Sequence, residues 1–245
     1  MTFTNLVSVT TNIKTITTKT NYFLHSTTYR IHLILVIINK TLYQTKMEEQ
    51  VAILKNEEYS FREFNGGIAI LNYIGKSTSV VIPDYINNKP VTYILREAFD
   101  DKGLKAVTLP KFLEYIDEDA FYKNEIKELV IPSKATEIRG GAFGRNKIEK
   151  LIIEGAITTI HMFCFVGNAL TSIDLPESVT TLYNDCFAEN DFEELTIPEH
   201  ITTLGSDSFK DSKKLKKVIL PQKLEGSITG AFRGVDIEKI DFVLY

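Results

Sequence analysis

Residues 126–147 read Ile126-Lys127-Glu128-Leu129-Val130-Ile131-Pro132-Ser133-Lys134-Ala135-Thr136-Glu137-Ile138-Arg139-Gly140-Gly141-Ala142-Phe143-Gly144-Arg145-Asn146-Lys147. Leu129 and Ile131 alternate about one residue, the period of a strand with one buried face. Pro132 cannot donate to a ladder, so it ends that strand and turns the chain. Ala135 and Ile138 then point inward from a second, shorter extended segment. Ala142-Phe143 closes the unit, a small residue making room for the ring of the next.

The same slots recur along the chain. Phe99, Phe121, Phe143, Phe165, Phe187 and Phe209 are spaced 22 residues apart, and Phe232 follows after 23. Pro110, Pro132, Pro176, Pro198 and Pro221 each precede one of them by 11 residues, with Glu154 in the one remaining Pro slot. The unit from Leu170 repeats the pattern with Ile173, Leu175, Pro176, Val179, Leu182, Cys186, Phe187 and Asn190. A fixed period of this length marks a solenoid in which each repeat is one coil. A single coil cannot bury its apolar face, so stability is collective, and stacking at about 4.8 Å would join the seven Phe rings into one spine. Asn124, Asn146, Asn168 and Asn190, three residues after Phe, read as a structural ladder that bonds neighbouring loop backbone or tolerates a left-handed turn.

Both ends are expected to be capped, since an open edge templates aggregation. Tyr59, Phe61 and Phe64 precede Asn65-Gly66-Gly67, and Ile68, Ile70 and Ile74 follow, a hairpin signal that fits an N-terminal cap over 47–82. Pro83 to Phe99 spans 16 residues instead of 11, and the extra five lie around the turn-rich Asn87-Asn88-Lys89-Pro90. The solenoid then runs over 83–245. Its last unit, Ile237-Glu238-Lys239-Ile240-Asp241-Phe242, lacks the Pro and reads as a half-coil cap.

Residues 1–46 differ from the rest. They include 12 Thr, five bases and no acid, a charge of +5 against −9 for the remainder of a chain whose net charge is −4. They read as upstream sequence before a start at Met47, as a basic, acid-poor targeting segment, or as a disordered tail. The longest apolar run, Leu33 to Ile38, is far short of the roughly 20 residues of a membrane helix, so no transmembrane segment is expected. The acidic balance argues against nucleic acid, which needs a basic surface.

The run apolar-x-x-Leu/Ile-x-Ile-Pro-x-x-Val-x-x-Ile-x-x-x-Ala/Cys-Phe-x-x-Asn resembles the BspA-like (Treponema pallidum-type) leucine-rich repeats over about residues 80–240. It does so through Leu109-Pro110, Ile131-Pro132, Leu175-Pro176, Ile197-Pro198 and Leu220-Pro221 with their Phe partners, departing at Glu154 and at Ser227, which stands where Ile138 stands in its coil. The resemblance implies a mainly β, right-handed leucine-rich-repeat solenoid of about seven 22-residue coils with an N-terminal β-hairpin cap. It implies surface proteins that bind host or neighbouring-cell proteins, hence a cell-surface or secreted location; a start at Met47 implies a cytoplasmic one.

No catalytic motif appears, neither a Gly-rich phosphate loop nor His-Glu-x-x-His nor Gly-x-Ser-x-Gly, and the chain is read as non-enzymatic, without cofactor or metal. Cys164 and Cys186 occupy the small slot filled elsewhere by Ala98, Ala120, Ala142, Ser208 and Ala231, where a free Cys packs as a small hydrophobe; a disulfide between stacked coils stays geometrically open. His161 falls in an outward slot shared with Asp117, Arg139, Tyr183 and Gly205, and three side chains fall short of a zinc site. Asp174 and Glu194 lack a calcium-loop pattern and read as solvated surface.

The outward strand slots are the candidate protein-binding face. The central slot holds Thr108, Val130, Ile152, Asp174, Thr196 and Ile219; its neighbour holds Ala106, Glu128, Lys150, Ser172, Glu194 and Lys217. Exposed β-branched neighbours on successive coils mark a contact surface. The expected function is protein–protein recognition by a monomer, with cell-surface adhesion as one form and an intracellular scaffold or assembly protein without an external ligand as the alternative.

Overall fold

A computed structural model of the chain describes residues 54–245; the reading of 1–46 as a leader lies outside the described residues. The chain opens with β1 (Leu54–Lys55), β2 (Tyr59–Phe64) and β3 (Gly67–Tyr73), paired antiparallel in that order. Asn65 and Gly66 make the β2–β3 turn, both at positive φ (48° and 79°), the backbone that twists a two-residue loop with its strands. The expected hairpin cap is therefore present, with one extra strand. β3 then pairs in parallel with the first coil, which covers the open end of the stack.

The coils follow in chain order as β4 (Ser79–Val81), β5 (Tyr85–Ile86), β6 (Lys89–Ile94), β7 (Ala106–Thr108), β8 (Tyr115–Ile116), β9 (Glu128–Ile131), β10 (Glu137–Ile138), β11 (Lys150–Ile153), β12 (Thr159–Ile160), β13 (Thr181–Leu182), β14 (Glu194–Thr196), β15 (Thr203–Leu204), β16 (Lys217–Leu220) and β17 (Asp241–Leu244). The five extra residues of the first coil form the tight hairpin β5–β6 around Asn87 and Asn88, again both at positive φ. Otherwise each coil contributes up to two strands, one on each of two parallel ladders.

The third side of every coil is the Phe arc, and it is bonded throughout. Phe99, Phe121, Phe143, Phe165, Phe187 and Phe209 each donate their N–H to the carbonyl of the residue before the next ring, at 2.8–3.0 Å. The N–H groups two residues before and two residues after each of these rings likewise donate to carbonyls of the next coil. All the spine rings are fully buried and stack face to face, with centroids 4.8–5.9 Å apart and planes within 4–14°. Tyr73 extends the stack below Phe99 at 5.4 Å, and Phe242 closes it edge-on above Phe232. Eight rings thus make eight turns, one more than the seven spine Phe residues imply, because the cap supplies the first. The small-slot residues Ala98, Ala120, Ala142, Cys164, Cys186, Ser208 and Ala231 are all fully buried beside the spine.

The Asn ladder is as the period implies. Asn146 Oδ1 accepts from the Ile126 N–H at 3.2 Å while Nδ2 donates to the carbonyls of Phe121 (2.8 Å), Phe143 (3.2 Å) and Gly144 (3.3 Å). Asn124, Asn168 and Asn190 repeat this pattern one coil apart. Each side chain therefore stitches two coils while satisfying buried backbone groups that no strand reaches.

The two strand ladders are less continuous than the repeat suggests. On the long-strand side, β4 pairs with β7, β9 with β11, and β14 with β16 and β17, in three separate groups. Residues 172–174 form no strand; Ser172 and Asp174 are poor strand formers whose side chains compete for backbone bonds. On the short-strand side, β10 and β12 are not paired, although β8–β10 and β12–β13–β15 are. The chain pinches just before this opening: a Cβ on Gly155 would stand 2.5 Å from the Ala135 carbonyl oxygen. Glu154 explains its own departure from Pro. Its N–H donates to the Ile131 carbonyl at 3.0 Å, a bond Pro cannot make.

The last full coil also departs. After Pro221 the chain forms a 3-10 turn over Gln222–Ser227 and the short helix α1 (Ile228–Ala231) instead of a second strand. Leu224 still fills the inward slot, but Ser227 offers no apolar side chain for the next one. The half-coil ends as β17, parallel to β16.

Replacing Asn146 by Ala strands the buried Ile126 N–H and removes one of the donors to each of three carbonyls. Urea unfolding is expected to show a loss of about 1–3 kcal/mol or more, against a change within about 0.5 kcal/mol for Lys147→Ala on the exposed side of the same loop.

Candidate functional site

The outward strand face is built by the alternation of each long strand. Within β9, Leu129 and Ile131 are buried while Glu128 and Val130 are exposed; β14 repeats this with Leu195 inward and Glu194 and Thr196 outward. Parallel pairing in register then puts like slots side by side. Ile152 lies beside Val130 and Lys150 beside Glu128. Thr196 lies beside Ile219 and Glu194 beside Lys217.

The structure adds two residues to this stripe. Val81 sits in register with Thr108, and Val243 with Ile219. Both are exposed, Val81 at 71% and Val243 at 38%, like Val130 at 46% and Ile152 at 39%. Their slots were hidden because the first coil carries an insertion and the last is only half a coil. The signal was present nonetheless, in the alternation of Val80-Val81-Ile82 and of Phe242-Val243-Leu244.

The expected face residues are not all brought together. Val130, Ile152, Glu128 and Lys150 form one paired block, and Thr196, Ile219, Glu194 and Lys217 another. Thr108 pairs with Val81 but not with Val130, and Asp174 lies between the blocks outside any strand. The face is a β-branched stripe interrupted once by a carboxylate, not a continuous sheet.

Charges in the loops that lead into the long strands pair between coils. Lys127 pairs with Glu149 at 3.3 Å, Lys147 with Glu125 at 3.1 Å, Lys214 with Asp191 at 3.0 Å and Lys216 with Glu193 at 2.7 Å. Such exposed pairs add little stability. Glu128, Lys150, Glu194 and Lys217, in the slot beside the stripe, make no ion pair among the described residues, so the face offers charge as well as apolar surface.

The cysteine and histidine slots are separated by the wall of the coil. Cys164 and Cys186 are free thiols, fully buried, and burial pushes both well above the usual thiol range. His161 lies outside, half-buried, with its ring 5.6 Å from that of Tyr183; burial and then the Arg139 charge hold it below the usual imidazole value. Among the described residues no group of three or more His, Cys, Asp or Glu is placed to hold a metal ion. Among them, too, no helix is long and apolar enough to cross a membrane.

The model for the BspA type leucine-rich-repeat region matches this chain in six copies, over residues 72–191 and 136–243. The chain belongs to the BspA-type leucine-rich-repeat family. Similar solved structures are the leucine-rich-repeat protein of T. pallidum (22% identity, 78% of this chain and 86% of that chain, TM-score 0.45), a leucine-rich cell surface protein of Faecalibacterium prausnitzii (17%, 69% and 70%, 0.39) and a leucine-rich-repeat protein of Bacteroides ovatus (16%, 79% and 79%, 0.39). No curated protein matches the chain. The spine Phe, the Asn ladder and the Pro turns are the residues by which the BspA-type repeat is recognised here, and all of them are structural.

With both thiols inside the coils and kept protonated, the native BspA-type chain is expected to resist maleimide at pH 8 and to label at two positions once unfolded. Mass spectrometry of the labelled protein reads this; rapid native labelling of either cysteine would contradict the burial.

Proposed function

We propose that the chain is a non-enzymatic protein-recognition module that binds its partner across the outward strand face. The observation that carries this is the exposed, in-register β-branched stripe centred on Val130 and Ile152. Aliphatic side chains left in water on a rigid sheet gain free energy when a partner covers them, by about 25 cal/mol for each Å² buried. The rigidity of stacked coils keeps the ordering cost of binding low. Family membership supports a recognition role in general. Adhesion at a cell surface is the finer form of this reading, and it rests on the family resemblance.

The experiment immobilises the full chain and compares proteins retained from cell-surface extracts by the native protein, by the Val130→Lys/Ile152→Lys double variant, and by Glu177→Lys as an exposed control away from the stripe. The double variant is expected to lose at least tenfold of the specific capture and the control to keep it. Equal capture by all three would remove the strand face from the function.

A further inference from the structure

The unpaired charges of the strand face follow an order of their own. From coil to coil, the slot beside the apolar stripe holds Glu128, Lys150, Ser172, Glu194 and Lys217. Parallel register sets Glu128 beside Lys150 and Glu194 beside Lys217. None of the four forms an ion pair within the chain among the described residues. Taken from the other end, the same slot runs Lys, Glu, Ser, Lys, Glu. Every charge is exchanged for its opposite, with the exposed Ser172 at the centre. A surface with that property is complementary to itself after a half turn.

We propose that the chain recognises a second copy of itself across this face, the two stacks antiparallel about a twofold axis at Ser172 and Asp174. This rests on the strand face being the recognition surface, and it names the partner. The axis lies along the strands, so each slot meets the same slot of the second copy in reversed coil order. Glu128 faces Lys217 of the second copy, and Lys150 faces its Glu194. The twofold repeats both contacts. In the stripe, Val130 faces Ile219 of the second copy and Ile152 faces its Thr196. That covers the exposed Val130 and Ile152 and supplies the gain in free energy. Such an isologous contact closes at a dimer.

The charges select the arrangement. Displacing the second copy by one coil sets Glu128 on Glu194 in one direction and Lys150 on Lys217 in the other. Parallel stacks set each of these charges on its own copy. The register centred on Ser172 is the one that gives all four an opposite charge. Asp174 is the unfavourable contact, because the axis brings it against its own copy. The charged span is four coil steps, about 19 Å. A contact that small associates weakly and reversibly.

Sedimentation velocity of the full chain from about 10 to about 500 µM reads the monomer–dimer equilibrium. The native chain is expected to dimerise within this range. Glu128→Lys is expected to raise the dissociation constant at least tenfold, since Lys–Lys contacts replace two of the ion pairs. Adding Lys217→Glu is expected to restore it to within about threefold. Adding Lys150→Glu instead is expected to restore nothing, although Lys150 is the neighbour of Glu128 within the chain. Glu128 and Lys217 lie four coils apart, so their rescue requires a second copy. Asp174→Asn is expected to tighten the dimer by removing the repulsion on the axis. A monomer over the whole range, no rescue by Lys217→Glu, or equal rescue by Lys150→Glu would each overturn the proposal. A monomer whose capture of extract proteins still depends on Val130 and Ile152 would overturn it and leave the strand-face reading standing. A dimer rescued as described, beside capture indifferent to those two residues, would uphold self-recognition and remove the external partner.

Discussion

Every other feature of this protein hangs on the hydrogen-bonded arc that carries the Phe spine. Three N–H groups per coil donate to the next coil across this arc from Glu97 to Asp211. The bonds hold the coils at the separation at which aromatic rings can stack, and the rings in turn exclude water from the bonds. The Asn side chains close the remaining backbone groups on the inner corner of the turn. Because both devices link neighbours only, stability builds coil by coil and no single coil holds its shape alone.

Continuity in the arc permits discontinuity elsewhere. The long-strand ladder divides into three groups and the short-strand ladder opens between Ile138 and Ile160, yet the arc is bonded across both places. Local departures in sequence therefore act locally. Glu154 and Gly155 redirect one side of one coil, bonding to Ile131 and pressing on Ala135, while Phe165 stacks on Phe143 with its plane only 5° away. The same tolerance lets Phe163 occupy a left-handed backbone (φ 59°) that suits Asp or Gly.

Much of this architecture is legible in the residues. The 22-residue return of Phe specifies the stack, Pro marks the strand ends, Asn65-Gly66 specifies the cap hairpin and Asn87-Asn88 the insertion turn. What escapes is whatever depends on a slot read across coils instead of along one. That Tyr73 serves as the first ring is invisible, because the insertion displaces it from the period. The helix after Pro221 is not encoded by any strong helical pattern; it forms where the last full coil has lost the apolar residue at Ser227. The ladder breaks need the competition between backbone and side chain at Ser172 and Asp174 to be resolved in three dimensions. The candidate stripe was readable at Val130 and Ile152 and incomplete at its ends, where Val81 and Val243 join it. The strain at Phe163 had a signal, the run of Glu, Asp and Gly in the equivalent slots of the other coils, which points to a left-handed backbone only when the coils are aligned.

The central claim is that the Phe arc, and not the strand ladders, is the most protected part of the molecule. Native-state hydrogen exchange resolved by residue tests it most directly. The account predicts that the amides of Phe121, Phe143, Phe165 and Phe187 exchange slowest and at similar rates, and that those of Thr158 to His161 exchange fastest within the coils. Slower exchange along β9, β11, β14 and β16 than along the Phe arc would contradict it.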